Sequence, residues 1–92
     1  MDLETRPRRA DGILTQEAPD SETLLLLDPD GGEYYTLEVV GRRVWELADG
    51  SRRVAEIAAQ ISEEYDVAPE VAEQDLLELL VDLSRSKLVV DG

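Results

Sequence analysis

The side chains with most to offer in this sequence are apolar and sit in two places. One is the run LLELLVDLSRSKLVV over residues 76–90; the other is the pair Tyr34-Tyr35. Their chemistry is contact with another chain. At about 100° per residue, Ala72, Leu76, Leu79, Leu80 and Leu83 share one helical face, with Leu77 and Val81 beside it. A helix packed on one side needs an apolar stripe of roughly 100°. The wider arc predicts cover on two sides, the second from a partner where the chain itself cannot supply it.

Reactive groups are scarce. The 92 residues include no Cys and no His, so a disulfide, a Cys-ligated metal site and the commonest general base are all absent. The acids are dispersed and match no calcium loop. Gly31-Gly32 leads from strand to strand rather than into a helix N-terminus, as a phosphate loop must. The expectation is a protein that is not an enzyme, with no catalytic residue, no metal ligand and no cofactor.

The formal charge is −13, from 22 acids and 9 bases. Nucleic-acid affinity comes from Lys and Arg displacing counterions, and this field opposes it. An acidic surface also discourages wrong partners and steers less acidic segments inward. No apolar run reaches the roughly 18 residues of a membrane span, and MDLETRPRRAD lacks the apolar segment of a signal peptide. A cytoplasmic protein without membrane or nucleic-acid partners is expected.

The elements that must position the two apolar stretches follow in order. Residues 1–10 are charged and read as a flexible arm, ahead of one domain over 11–92. Ile13-Leu14-Thr15 predicts a short strand. Thr23–Leu27, apolar throughout and bounded by Asp20-Ser21 and Asp28-Pro29-Asp30-Gly31-Gly32, predicts a second strand ending in a hairpin turn. Glu33-Tyr34-Tyr35-Thr36-Leu37 is the third, with Tyr35 and Leu37 on one side and Tyr34 and Thr36 on the other. From Glu38 the period becomes helical. Val40, Val44, Leu47 and Ala48 mark a first helix closed at Asp49-Gly50, and Ser51 is the expected cap of a second carrying Val54, Ile57, Ala58, Ile61 and Tyr65. Pro69 opens a third helix running to about Ser86, and Leu88-Val89-Val90 is a terminal strand or extended tail. The fold class is α+β: a small antiparallel N-terminal sheet of three strands, then a three-helix, winged-helix-like bundle.

Two families of this size and layout are excluded on their residues. Acyl and peptidyl carrier proteins attach a prosthetic arm to the serine of Asp-Ser-Leu at a helix start, whereas here Asp20-Ser21 is followed by Glu22 among strands. A DNA-reading third helix presents Arg, Lys, Asn or Gln to base edges; this one presents Glu73, Gln74, Asp75, Glu78 and Asp82. Arg42, Arg43, Arg52 and Arg53 form one basic patch, read as neutralising neighbouring acids or docking an enzyme.

The run Leu37-x-x-x-Gly41-x-x-Val44-Trp45-x-Leu47-x-Asp49-Gly50, then Val54-x-Glu56-Ile57, Asp75-Leu76-x-x-Leu79-Leu80-x-x-Leu83 and Leu88-Val89 resembles the PqqD-like proteins, the recognition elements of ribosomally made, modified peptides. The likeness covers roughly residues 11–90. Two positions depart: Glu38 stands where quinone-pathway members have Asn, and Lys87 where Gly is common. The Tyr34-Tyr35 strand and the Val44–Leu47 helix look more like the stand-alone recognition proteins of lasso peptide biosynthesis. The resemblance implies an adaptor that binds a precursor's leader peptide as an added strand between the third strand and the third helix. It would present the precursor to a leader peptidase and a cyclase. The residues so implied are Glu33, Tyr34, Tyr35, Thr36, Leu76, Leu77, Leu80, Val81 and Ser84. A PqqD-type chaperone paired with a radical enzyme, and a winged-helix domain that contacts another protein, remain the alternatives.

Overall fold

Alternation and turn chemistry build the N-terminal half. In the computed structural model, which describes residues 1–20 and 22–91 and, of Glu33, the backbone, strands β1 (Pro7–Arg9), β2 (Leu14–Glu17), β3 (Leu24–Asp28) and β4 (Glu33–Leu37) precede helices α1 (Val39–Leu47), α2 (Val54–Tyr65) and α3 (Pro69–Arg85) and a last strand β5 (Val89–Asp91). β2, β3 and β4 form an antiparallel sheet in that order, with Leu14, Leu27 and Tyr34 in one cross-strand row and Glu17, Leu24 and Leu37 in another. The hairpin between β3 and β4 closes with the Gly32 N–H donating to the Asp28 carbonyl at 2.9 Å. Gly32 takes φ +69° there, a value that only glycine adopts without strain.

The three strands place Leu24, Leu26 and Leu37 against the helices. The core continues through Val44, Trp45, Leu47, Val54, Ile57, Ile61, Leu76, Leu80 and Leu83 to Leu88 and Val89. α3 packs on α2 and β5, and α1 on β4 and α2. Its end is a Schellman turn: the Leu88 N–H donates to Leu83 at 2.9 Å and the Lys87 N–H to Ser84 at 3.0 Å, with Lys87 left-handed at φ +60°. The glycine common at this position in the resembling family is the residue that this backbone prefers.

Three expectations need correction. The sheet of three strands is joined by a second, two-stranded sheet in which β1 pairs antiparallel with β5, Pro7 opposite Asp91 and Arg9 opposite Val89. The first ten residues are accordingly docked, and Pro7 is fully buried. The Leu3 and Thr5 carbonyls accept the N–H groups of Ala55 and Val54 at 3.0 and 2.8 Å, so this segment satisfies donors that every helix N-terminus leaves open. The Arg9 guanidinium donates to the Trp45 and Glu46 carbonyls at the end of α1. Backbone groups make most of these ties, which is why a charged composition concealed them.

Ser51 does not cap α2. The N-cap is Arg53, whose N–H donates to Glu56 Oε1 at 2.9 Å. Ser51 instead donates from both its N–H and its hydroxyl to Asp49 Oδ1. Those two bonds, the hydroxyl first, together with Arg52 hold the Asp49 carboxyl down at about 2.

Candidate functional site

β4 has β3 on one side and no described strand on the other, so alternate residues over 33–37 direct their N–H and C=O groups to an open margin. α3 runs beside it. At one end, a Cβ placed on Gly41 would stand 3.2 Å from Leu37 Cδ2 of β4 and 3.8 Å from Leu79 Cδ2 of α3. At the other end, Asp28, Asp30 and Gly31 of the hairpin line a concavity together with Arg85, Ser86 and Lys87 at the end of α3. The strand and the helix therefore run antiparallel, Leu37 near Leu79 and the 28–32 turn near residue 85. Along α3, Leu77, Glu78, Val81, Asp82 and Arg85 line an open concavity of about 440 Å³.

The implied residues separate by environment. Tyr35 is half-buried against the core, as is Leu77, while Val81 is half-buried in the α3 concavity. Ser84 is exposed one turn beyond Val81. These four therefore keep part of their surface open to solvent. Leu76 and Leu80 are 4% and 0% exposed, so both belong to the core and lie beneath any groove. Tyr34 is 74% exposed and, with Thr36, lies by alternation on the opposite face of the sheet from Tyr35. Glu33 contributes backbone; its side chain lies outside the described residues.

The sequence reading used Glu78 and Asp82 only as an argument against DNA binding and did not single out Arg85. Their positions one turn apart, beside Leu77 and Val81, are the signal for a charged margin along an apolar stripe. Among the described residues no group of acids is arranged to hold a metal ion. No helix is long and apolar enough to cross a membrane.

The four arginines noted in the sequence are engaged with acids. Arg42 pairs with Glu17 and Glu46, Arg43 with Glu46 and Glu64, Arg52 with Asp49, and Arg53 with Glu4 and Glu56. The Glu64 carboxyl is held below the usual carboxylate range by hydrogen bonds from Arg43 and then Gln60. Of the two readings of this patch, the ion pairs favour neutralisation.

A short α+β domain with an unpaired strand margin along a half-covered helix is the frame of a peptide-binding module. The family model described as coenzyme PQQ synthesis protein D (PqqD) matches residues 23–89, and the chain belongs to the PqqD family. No curated protein matches it.

Solved structures similar to it include "TbiB1 in Complex with the TbiA(beta) Leader Peptide", 28% identical with a TM-score of 0.79 over 92% of this chain and 96% of that one. The PqqD part of Methylobacterium extorquens PqqCD, described as a functional, stand-alone recognition element, is 26% identical with a TM-score of 0.75 over 91% and 87%. A lasso peptide synthetase B1 complexed with the leader peptide shares the fold at 22% identity, with a TM-score of 0.79 over 92% and 98%.

Proposed function

We propose that this protein is a recognition adaptor without catalysis of its own. It binds the leader segment of a ribosomally made precursor as an added strand on β4 and presents the precursor to processing enzymes. The observation that carries this reading is the open margin of β4, whose Leu37 end lies near Leu79 of α3, in a chain 28% identical to a protein solved with a leader peptide. Strand addition supplies affinity through main-chain hydrogen bonds, and side-chain pockets supply specificity. Here Tyr35, Leu77 and Val81 form the apolar wall, and Glu78, Asp82 and Arg85 the charged rim.

Tethering needs no reactive side chain, because a short linker raises effective concentration to about millimolar. That fits a chain without His or Cys. The processing partners in this reading are the leader peptidase and cyclase of a lasso pathway. α3, which a winged helix of this plan would offer to DNA, exposes Gln74, Asp75, Glu78 and Asp82, and phosphates repel such a surface. A second reading, a chaperone paired with a radical enzyme in quinone cofactor synthesis, is favoured by the description of the family model. It shares the same peptide site.

Titration with a fluorescent synthetic leader tests the proposal. The adaptor binds at micromolar or tighter affinity, and Leu77→Asp or Val81→Asp weakens binding while the far-ultraviolet dichroism is unchanged. A flat titration with both a lasso-type leader and a quinone-precursor leader sinks it. Cleavage of the precursor by the purified protein alone refutes its non-catalytic part.

A further inference from the structure

The outer face of the three-stranded sheet is turned away from the core that the inner face shares with the helices. Leu14, Leu27 and Tyr34 form one continuous row across the three strands and are 55%, 41% and 74% exposed. With Leu25 and Gln16 they line a concavity of about 530 Å³ on the side away from the core. Scattered single apolar residues on a surface are ordinary, but a contiguous exposed apolar patch marks a contact site.

Charge indicates the partner. Residues 10–41 contain eight carboxylates and no Lys or Arg. The turns at the two ends of this sheet carry Asp20 and Glu22, and Asp28 and Asp30. A second copy would bring those carboxylates against their own kind, and like charges juxtaposed across an interface are unfavourable. A surface apolar at its centre and ringed by Lys and Arg meets both features at once. The patch also adjoins the margin proposed for the leader, since Tyr34 belongs to β4.

We infer that this face docks a processing enzyme through an apolar centre with a basic rim, leaving the β4 margin and α3 to the leader. The inference rests on the adaptor reading and extends it from the peptide to the enzyme.

The purified leader peptidase and cyclase of the same pathway serve as probes. Each is immobilised and titrated with the full chain, with Leu14→Ser/Leu27→Ser and with Gln16→Lys, and leader titrations run in parallel. The exposed positions leave folding intact, which thermal melts check. At least one enzyme binds the wild type, and raising salt from low to high ionic strength weakens the complex. The double substitution weakens it by about tenfold or more, as loss of a central apolar contact does, and Gln16→Lys, which sets a like charge against a basic rim, weakens it less. Leader affinity is unchanged in every variant.

Enzyme binding that is indifferent to the double substitution overturns the inference, as does failure of both enzymes to bind the wild type or self-association of the wild type through this face. Loss of leader binding in the wild type would instead sink the adaptor reading, so the two failures are distinguishable.

Discussion

Leu77 and Leu80 are nearly adjacent on α3, yet the structure buries them to different depths. Leu80 is 0% exposed within the core. Replacing such a leucine by alanine costs the lost transfer energy and the cavity left behind, together about 3 kcal/mol. With an unfolding entropy of about 2.1 cal/mol/K per residue, a domain of this size loses roughly 15 °C of Tm for that amount. Leu77 is half-buried, so Leu77→Ala forfeits about 1 kcal/mol of stability and roughly 5 °C. The uncovered part of the Leu77 side chain is what a leader would bury, worth about 1 kcal/mol more, or roughly fivefold in Kd.

The expected pattern is therefore crossed. Leu80→Ala melts far lower but binds leader almost normally at 10 °C, and Leu77→Ala melts almost normally but binds weakly. Thermal melts by circular dichroism and leader anisotropy on the same samples check it. Equal loss of stability in both variants, or unaltered leader affinity in Leu77→Ala, refutes the division of α3 into a core face and a groove face.

Other outcomes follow from the ends and turns. Lys87→Gly relieves a left-handed backbone at φ +60° and raises stability by about 1 kcal/mol, close to 5 °C in Tm, whereas Lys87→Ala does not. Asp49, held at about 2 chiefly by the Ser51 hydroxyl, is depressed from the ordinary value of 3.8. Its contribution is complete above that ordinary value and fades as pH falls toward 2. Urea midpoints of Asp49→Asn therefore lie below those of the wild type above pH 5 and converge with them near pH 2. Deleting residues 1–6 strips the acceptors from the Val54 and Ala55 N–H groups; about 1–2 kcal/mol is lost, of the order of a helix cap, while leader affinity holds.

The three helices were legible because each carries an apolar period, and the β3–β4 hairpin because Asp28-Pro29-Asp30-Gly31-Gly32 has the turn chemistry it needs. The α3 stripe at Leu77 and Val81 could be seen as a widened arc. Its depth could not, since period alone does not say that Leu80 is sealed while Leu77 reaches the surface. Tyr34 and Tyr35 were correctly split between two faces, although which face looked toward α3 depended on how the sheet sits on the helices. Strand β1 escaped notice because its ties are main-chain carbonyls and a buried Pro7, neither of which leaves a hydrophobic pattern. The cap of α2 was misassigned because Ser51 is the stronger capping type, yet Asp49 claims its hydroxyl first.

The pairing of β1 with β5 turns the polypeptide into a nearly closed loop, head beside tail. Rotating the starting point of the gene should be tolerated: joining the two ends by a short bridge and cutting in the bend between β2 and β3 keeps every helix and the β4 margin in place.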